Sequence, residues 1–359
     1  MVAMNQTTRR SIFPLLLLLV SPSVLGQSKP DGTIVDDVAC PANTVTSYDQ
    51  YIQRSRQAYA EEVEAAKREG FTMATPEKLS DWLLDRREWE RRRAYAGFEC
   101  RHIKYVSDGL KVSGYLWKPK DTTGAQRPLI IFNRGGNREF GTLSPWMWSG
   151  FFPFLEQGFV VVGSQYRGND GGEGREEFGG AEIRDVLNLL PLAKALGYVD
   201  MNNVFLLGVS RGGMMVYLAL KEGMNVNAAA VMSGVSDVPA LVKDRPEMRE
   251  HVLKELIPDF DKRADEAMRE RSAIYWADRI NVPVLILHGA ADWRADAGQA
   301  LGIAQKLHEK HKTYELIVYA GDNHGLLMHR AESDRRIVDW FKEHLRSDRR
   351  VDARNAHPR

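Results

Sequence analysis

The run Phe205-Leu206-Leu207-Gly208-Val209-Ser210-Arg211-Gly212-Gly213 holds a serine between glycines at Gly-x-Ser-x-Gly spacing. In a chain with 30 glycines that pattern alone carries little weight. Its setting carries more, because an apolar strand-like run precedes it and an apolar helix-like run, Met214–Leu220, follows. A sharp strand-to-helix turn leaves no room for side chains beside the serine, which is why both glycines are needed. Such a turn would set the Ser210 hydroxyl at the carboxyl end of a sheet, on a helix N-terminus. There the dipole and the free N–H groups favour developing negative charge. The chemistry served would be nucleophilic attack on a carbonyl.

A serine hydroxyl needs a base, and the base needs an acid to orient it. Two later strand-like runs end in such residues. Val282–Leu287 leads into His288-Gly289-Ala290-Ala291-Asp292, and Tyr314–Tyr319 leads into Gly321-Asp322-Asn323-His324-Gly325. Serine, acid, histidine, each after a later strand, is the chain order this scaffold uses. His324 would take the Ser210 proton and return it to the leaving group, while Asp292 would hold the imidazole tautomer. Asp296 and Asp322 are rivals for the acid. Asp296 reads better as the cap of the next helix, and Asp322 lies too near His324 in sequence to orient it easily. His288 precedes a turn and reads as structural. An oxyanion also needs preset donors. The Arg211 N–H is one; Arg134 and Gly135, in the loop Asn133-Arg134-Gly135-Gly136-Asn137, are the expected others.

The elements that must position these residues are legible as alternating patterns. Arg101–Val106 and Lys111–Trp117 flank Ser107-Asp108-Gly109, a hairpin signal. Further strands are expected at Pro128–Phe132, Phe159–Gln165, Asn203–Leu207, Ala228–Met232, Val282–Leu287 and Tyr314–Tyr319. Helices are expected at Ala181–Leu196, Arg211–Glu222, Asp296–His308 and Arg330–Leu345. Apolar strands alternating with amphipathic helices imply an α/β fold, its mostly parallel central sheet covered by helices on both faces. Residues 236–280 are helical in pattern, charged, and too long for a plain connection, so they read as a lid-like insertion. Ser47–Tyr95 reads as two helices, the second opening at Thr75-Pro76-Glu77 with an apolar stripe of Leu79, Trp82, Leu83 and Trp89. This makes residues 27–98 a helical extension ahead of a catalytic domain over residues 99–346, with an arginine-rich tail over residues 347–359 expected to be disordered.

From about Arg101 to Leu345 the chain resembles an α/β-hydrolase, and most of all the catalytic domain of the prolyl oligopeptidase (S9) family of serine peptidases. The segments that carry the resemblance are Gly208–Gly213, Tyr166-Arg167-Gly168 with its glycine-rich sequel to Gly180, Ile280–Gly289 leading to Asp292, and Gly321–Gly325. The resemblance implies an acyl-enzyme mechanism on peptides or acylated amino acids. Two departures stand out. The family's usual β-propeller is missing ahead of the domain, so its size selection on peptides does not carry over. Asn133-Arg134-Gly135-Gly136 also stands where related enzymes have His-Gly-Gly or a tyrosine donor. Arg134 either faces substrate and pairs with a carboxylate or is a surface arginine in a salt bridge. Arg134 and Tyr166 are the expected substrate contacts.

Composition removes other function classes. With 49 Lys+Arg against 48 Asp+Glu the net charge is +1, which gives no footprint for nucleic acid. No Gly-Lys-Ser/Thr loop or well-placed Gly-x-Gly-x-x-Gly appears, and His308-Glu309-Lys310-His311 lacks metal-protease spacing. Neither cofactor nor metal is expected. The first 26 residues have a basic start (Arg9, Arg10), an apolar run Ile12–Val20 and Val24-Leu25-Gly26 before a cut, the layout of a signal peptide. The stretch Thr8–Phe13 also resembles a twin-arginine signal, so the export route stays open. The apolar run is too short to span a bilayer, and no stable membrane anchor is expected after processing. In an exported chain the two cysteines, Cys40 and Cys100, are expected to pair. The expected function is thus a secreted serine hydrolase acting on a small peptide or ester. A carboxylesterase and a catalytically silent binding protein are the alternatives.

Overall fold

The structure is a computed structural model that describes residues 29–42, 45–73, 82–124 and 126–346. The signal segment, the arginine-rich tail and the Thr75-Pro76-Glu77 cap lie outside these residues. Strand β1 (Ile34–Ala39) is followed by helix α1 (Tyr48–Arg68), helix α2 (Arg86–Ala94), and the strands β2 (Phe98–Ser107), β3 (Leu110–Pro119) and β4 (Arg127–Asn133). Helix α3 (Trp148–Leu155) leads to β5 (Val160–Ser164). Helices α4 (Ile183–Leu187) and α5 (Leu189–Ala195) precede β6 (Val199–Val209), α6 (Arg211–Lys221) and β7 (Ala228–Met232). The insertion carries α7 (Val238–Asp244), shorter turns, and α8 (Phe260–Glu270). Then come β8 (Val284–Gly289), α9 (Gly298–Glu309), β9 (Tyr314–Tyr319) and α10 (Arg330–Glu343).

The strands form one nine-stranded sheet in the order β1-β2-β3-β5-β4-β6-β7-β8-β9. The first three are antiparallel, and from β5 to β9 all neighbours are parallel. The two-residue period of a strand splits each central run between two cores. Leu129 and Ile131 of β4, Val204 and Leu206 of β6, and Val284 and Ile286 of β8 join the core under α4–α6, α9 and the insertion. Ile130 and Phe132, Phe205 and Leu207, and Leu285 and Leu287 face α3 and α10 instead. Burial on both faces explains why these strands are apolar throughout. The chain leaves β4, adds β5 on one side, then crosses to β6 on the other. That reversal opens a crevice at the carboxyl ends of β4 and β6, where Asn133 pairs with Gly208.

The extension differs from the purely helical expectation. Ile34–Ala39 is a strand that pairs antiparallel with β2, and its Asp36 and Asp37 suit an exposed edge. The Cys40–Cys100 disulfide closes a span of 60 residues and locks this edge to β2. Helix α1 is capped by Ser47, whose hydroxyl accepts the Gln50 N–H at 3.2 Å. Helix α2 starts at Arg86 behind an Asp85 cap. Its Arg92 reaches the Ser149 carbonyl at 3.0 Å and fixes α2 against α3. None of the described helices is long and apolar enough to cross a membrane.

Candidate active site

Ser210 sits between β6 and α6 with φ 57° and ψ −126°, a backbone conformation that L-residues rarely adopt. The turn is over-determined by close packing. A Cβ on Gly212 would overlap the Asn133 carbonyl, and a Cβ on Gly135 would lie 3.0 Å from the Ser210 Cβ. The Ser210 N–H is tied to the Met232 carbonyl at 3.0 Å, which anchors the turn to β7. Arg211 is the first residue of α6, so its N–H has no acceptor within the helix. Gly135 therefore faces Ser210 from one side, and the Arg211 N–H opens from the helix end.

Asp292 and His324 follow β8 and β9. Their loops are knit together, with the Ala290 N–H on the Tyr319 carbonyl at 2.8 Å and the Ala291 N–H on the Asp322 carbonyl at 2.9 Å. The His324 Nδ1 lies 2.7 Å from the Asp292 Oδ2. With Nδ1 donating to a carboxylate, Nε2 keeps its lone pair. The other Asp292 oxygen accepts the N–H groups of Arg294 at 2.9 Å and Ala295 at 3.0 Å. Burial by itself would raise the Asp292 pKa. His324 and His288 outweigh it and hold the carboxyl well below the usual range.

The other sequence candidates take supporting places. His288 is buried, with Nε2 2.8 Å from the Ala295 carbonyl and 3.2 Å from Asp292. Both neighbours only accept, so Nε2 carries the proton and the ring braces the acid loop. Asp322 accepts from the N–H groups of Asn323, Met328 and His329 and from the His329 ring, so it shapes the histidine loop. Asp296 accepts the Gly298 N–H at the start of α9.

Arg134 and Tyr166 depart from expectation. The Arg134 side chain is buried and makes five bonds to carbonyls, two to Gln165 and one each to Gly135, Arg138 and Phe140. Its guanidinium is an internal strut for the loop and has no donor left for a substrate carboxylate. Nor does it form the surface salt bridge that was the other reading. Tyr166 is fully buried, and its hydroxyl donates to the Arg134 carbonyl at 3.1 Å. It fixes the same loop from below. A cavity of about 520 Å³ lies beside the loop; Arg134 is among the residues that line it, whereas Tyr166 is not. Phe132, Trp146, Phe151 and Met232 line it, together with Gly135 and His324.

The Peptidase S9 model, described as the prolyl oligopeptidase family, matches residues 146–348, more than half of the chain. The chain belongs to the prolyl oligopeptidase family. An uncharacterized peptidase of Bacillus subtilis (strain 168), YtmA, is 32% identical over 246 residues, covering 67% of this chain and 92% of that one. Acylamino-acid-releasing enzyme 1 of Oryza sativa subsp. japonica is 29% identical over 261 residues. That match takes in 67% of this chain and only 33% of the rice enzyme. Among solved structures, the Pyrococcus horikoshii acylaminoacyl peptidase overlays with a TM-score of 0.62 at 22% identity, over 73% of this chain and 44% of that one. The chain is a serine hydrolase with the α/β-hydrolase fold.

Two features of this family member were not read from its sequence. The first is the Arg211 side chain. It is buried beside Glu176 and Glu182, hydrogen-bonded to both and, at 3.0 Å, to the Gly136 carbonyl. An arginine leading an apolar helix was the available signal, since a charge there needs carboxylates nearby. The second is the contact of α1 with the acid loop. Glu62 accepts from the Trp293 indole at 3.0 Å and from the Arg294 guanidinium at 2.7 and 2.5 Å. No local pattern announces a contact across that sequence distance.

Proposed function

We propose that this chain is an exported serine peptidase that cleaves short peptides or acylated amino acids through an acyl-enzyme formed on Ser210. His324 Nε2 takes the Ser210 Oγ proton as the oxygen bonds to the substrate carbonyl carbon. Asp292 stabilises the resulting imidazolium. The tetrahedral oxyanion is held by the N–H groups of Arg211 and Gly135. His324 gives its proton to the leaving amine as the carbon–nitrogen bond breaks. A water then repeats the sequence, with His324 as base, and frees the acid and Ser210.

The observation that carries this reading is the 2.7 Å His324–Asp292 bond at the sheet edge where the strained Ser210 turn opens. The apolar cavity beside His324 fits a large apolar side chain on the acyl side of the scissile bond. The rice relative's name supports acylated amino acids as one substrate class. The basic and apolar N-terminus, together with the Cys40–Cys100 bridge, supports export.

The test is a parallel assay of N-acylaminoacyl p-nitroanilides and p-nitrophenyl esters with the wild type and Ser210→Ala. The wild type should cleave both, and S210A neither. Ester turnover without amide cleavage would make the enzyme a carboxylesterase. A well-folded wild type that does not label with a fluorophosphonate would make it a binding protein. Export is tested by the N-terminal sequence of the protein recovered outside the cytoplasm, expected to begin at about Gln27.

A further inference from the structure

We propose that Glu62 of helix α1 is a positioning residue for the Asp292–His324 pair, so that the N-terminal extension is a working part of the active site. The inference rests on the triad reading above. Glu62 lies outside residues 146–348 matched to the family.

The argument starts at the acid. Asp292 Oδ1 is held by the Arg294 and Ala295 N–H groups, so the backbone at Arg294 sets the carboxylate's orientation. That backbone is in turn held by its side chain. The Arg294 guanidinium presents Nε and Nη2 to the two oxygens of Glu62 at 2.7 and 2.5 Å. A two-point fork fixes direction as well as distance. The preceding residue adds a third donor, the Trp293 indole N–H, to the same carboxylate. Two consecutive residues immediately after Asp292 thus converge on one side chain of α1.

Packing makes the clamp rigid. The Trp293 ring is buried against Ala66 and Met73, with Tyr59, Val63 and Ala65 around them. The Arg294 guanidinium lies 4.5 Å over the Trp293 ring. At the other end the Cys40–Cys100 bridge holds the start of the extension to the sheet. Glu62 is partly buried and stays ionised. Burial pushes its carboxyl up, but the Arg294 bonds and charge, the Trp293 N–H and the His324 ring together bring it below the usual range. The clamp is therefore charged at working pH. Removing its charge should loosen the acid loop without touching the nucleophile or the substrate cavity.

The test is a double-mutant cycle on the full mature chain with Glu62→Gln, Arg294→Gln and the pair, with Glu61→Gln as control. Glu61 is an exposed neighbour bonded only to Gln57 among the described residues. Rates are normalised by fluorophosphonate titration, so misfolded molecules do not count. E62Q should lower kcat about tenfold with KM within about twofold, and the double variant should be no slower than R294Q alone. Glu62→Asp, which keeps the charge on a shorter stem, should recover part of the loss. E61Q should match the wild type. Wild-type kcat in E62Q, or additive losses in the pair, would overturn the proposal while S210A remains dead. An active S210A would instead remove the triad reading beneath it.

Discussion

The Arg211 network is where the structure commits itself most sharply. Arg211→Met keeps the backbone N–H expected to hold the oxyanion and approximately the side chain's length, but it removes the cation. Both carboxylate partners are then stranded, Glu176 with a side chain 3% exposed and Glu182 fully buried. Breaking one buried pair costs about 3–5 kcal/mol. Two pairs do not double that figure here, because the carboxylates keep other donors. Glu182 still accepts the N–H groups of Glu177, Gly179 and Gly180, and Glu176 still accepts that of Arg138. The expected loss is about 3 kcal/mol, on the order of 5–10 °C in Tm for a domain of this size. Glu182 is now held below the usual carboxylate range, with Arg211 and the backbone donors overcoming burial. Without Arg211 burial wins and its pKa rises. In the wild type this group stabilises above about pH 4.3 and loses that contribution as pH falls. In R211M it destabilises when ionised and is relieved as pH falls, so the gap between the two proteins should narrow towards pH 4.

Activity should fall as well. Arg211 donates to the Gly136 carbonyl, and Glu176 accepts the Arg138 N–H, so the network grips the loop containing Gly135 at two points. Releasing it should lower kcat by about tenfold, short of the 10²–10³ lost when an oxyanion donor is removed outright. The assay is thermal unfolding by circular dichroism at pH 7 and at pH 4.5, with kcat normalised by active-site titration. R211M/E176Q/E182Q should regain most of the stability, because neither carboxylate is then left charged without its cation. A triple variant less stable than R211M, or an R211M Tm within about 1 °C of wild type, would refute the reasoning.

Other consequences follow from the same contacts. Asp292→Asn leaves the acid loop's N–H acceptor in place but no longer demands the Nδ1–H tautomer of His324, so kcat should fall by about 10⁴, and Tm should fall as well because His324 and His288 lose the carboxylate they hold ionised. Cys40→Ser/Cys100→Ser should lose about 4 kcal/mol through the freed 60-residue span, read as a Tm difference that reductant abolishes. Glu62 is held below the usual carboxylate range against the cost of burial, chiefly by Arg294 with help from Trp293 and His324. Its stabilisation is complete above about pH 4.3 and decays as pH falls below that. The extension should therefore undock in that window, seen as a shift in tryptophan emission as Trp293 meets water.

The parts of this chain that were legible in its sequence are those decided by neighbours in sequence. β7 and β9 have the expected bounds, and α6 begins at Arg211 as expected. Two-sided burial makes such strands apolar from end to end, and that is visible in a short window. The expected helix over Ala181–Leu196 breaks in two at Asn188. Its side chain turns to the Ser107 hydroxyl at 3.0 Å, and Pro191 has no N–H for the Leu187 carbonyl. β1 went unread because an edge strand needs no apolar alternation, and Ile34–Ala39 carries two aspartates. That Asp292 and His324 would meet was legible from their positions past strand ends, a rule of topology that survives in local order. Arg134, Tyr166 and Arg211 were misread or passed over for one reason. Whether an arginine or tyrosine points at a substrate or at a carbonyl depends on what folds around it, and those partners lie up to 75 residues away.

This division has a mechanical cause. A serine held at φ 57° with glycine on both sides is a strained turn, and strain persists only where surrounding structure over-determines it. The two glycines that flank the turn, Gly208 and Gly212, have no side chains with which to supply that constraint. It has to arrive from elsewhere in the chain as buried polar bonds whose direction is fixed. Arg134 binds the carbonyls of its own loop, Arg211 ties that loop to Glu176 and Glu182, and Arg294 ties the acid loop to α1. Each is an arginine, whose planar guanidinium carries several donors in a fixed fork. Exchanging any of them for lysine keeps the charge and forfeits the fork. The Arg→Lys variants should therefore stay folded better than neutral ones while losing kcat nearly as much, a separation that a purely electrostatic role for these residues would not produce.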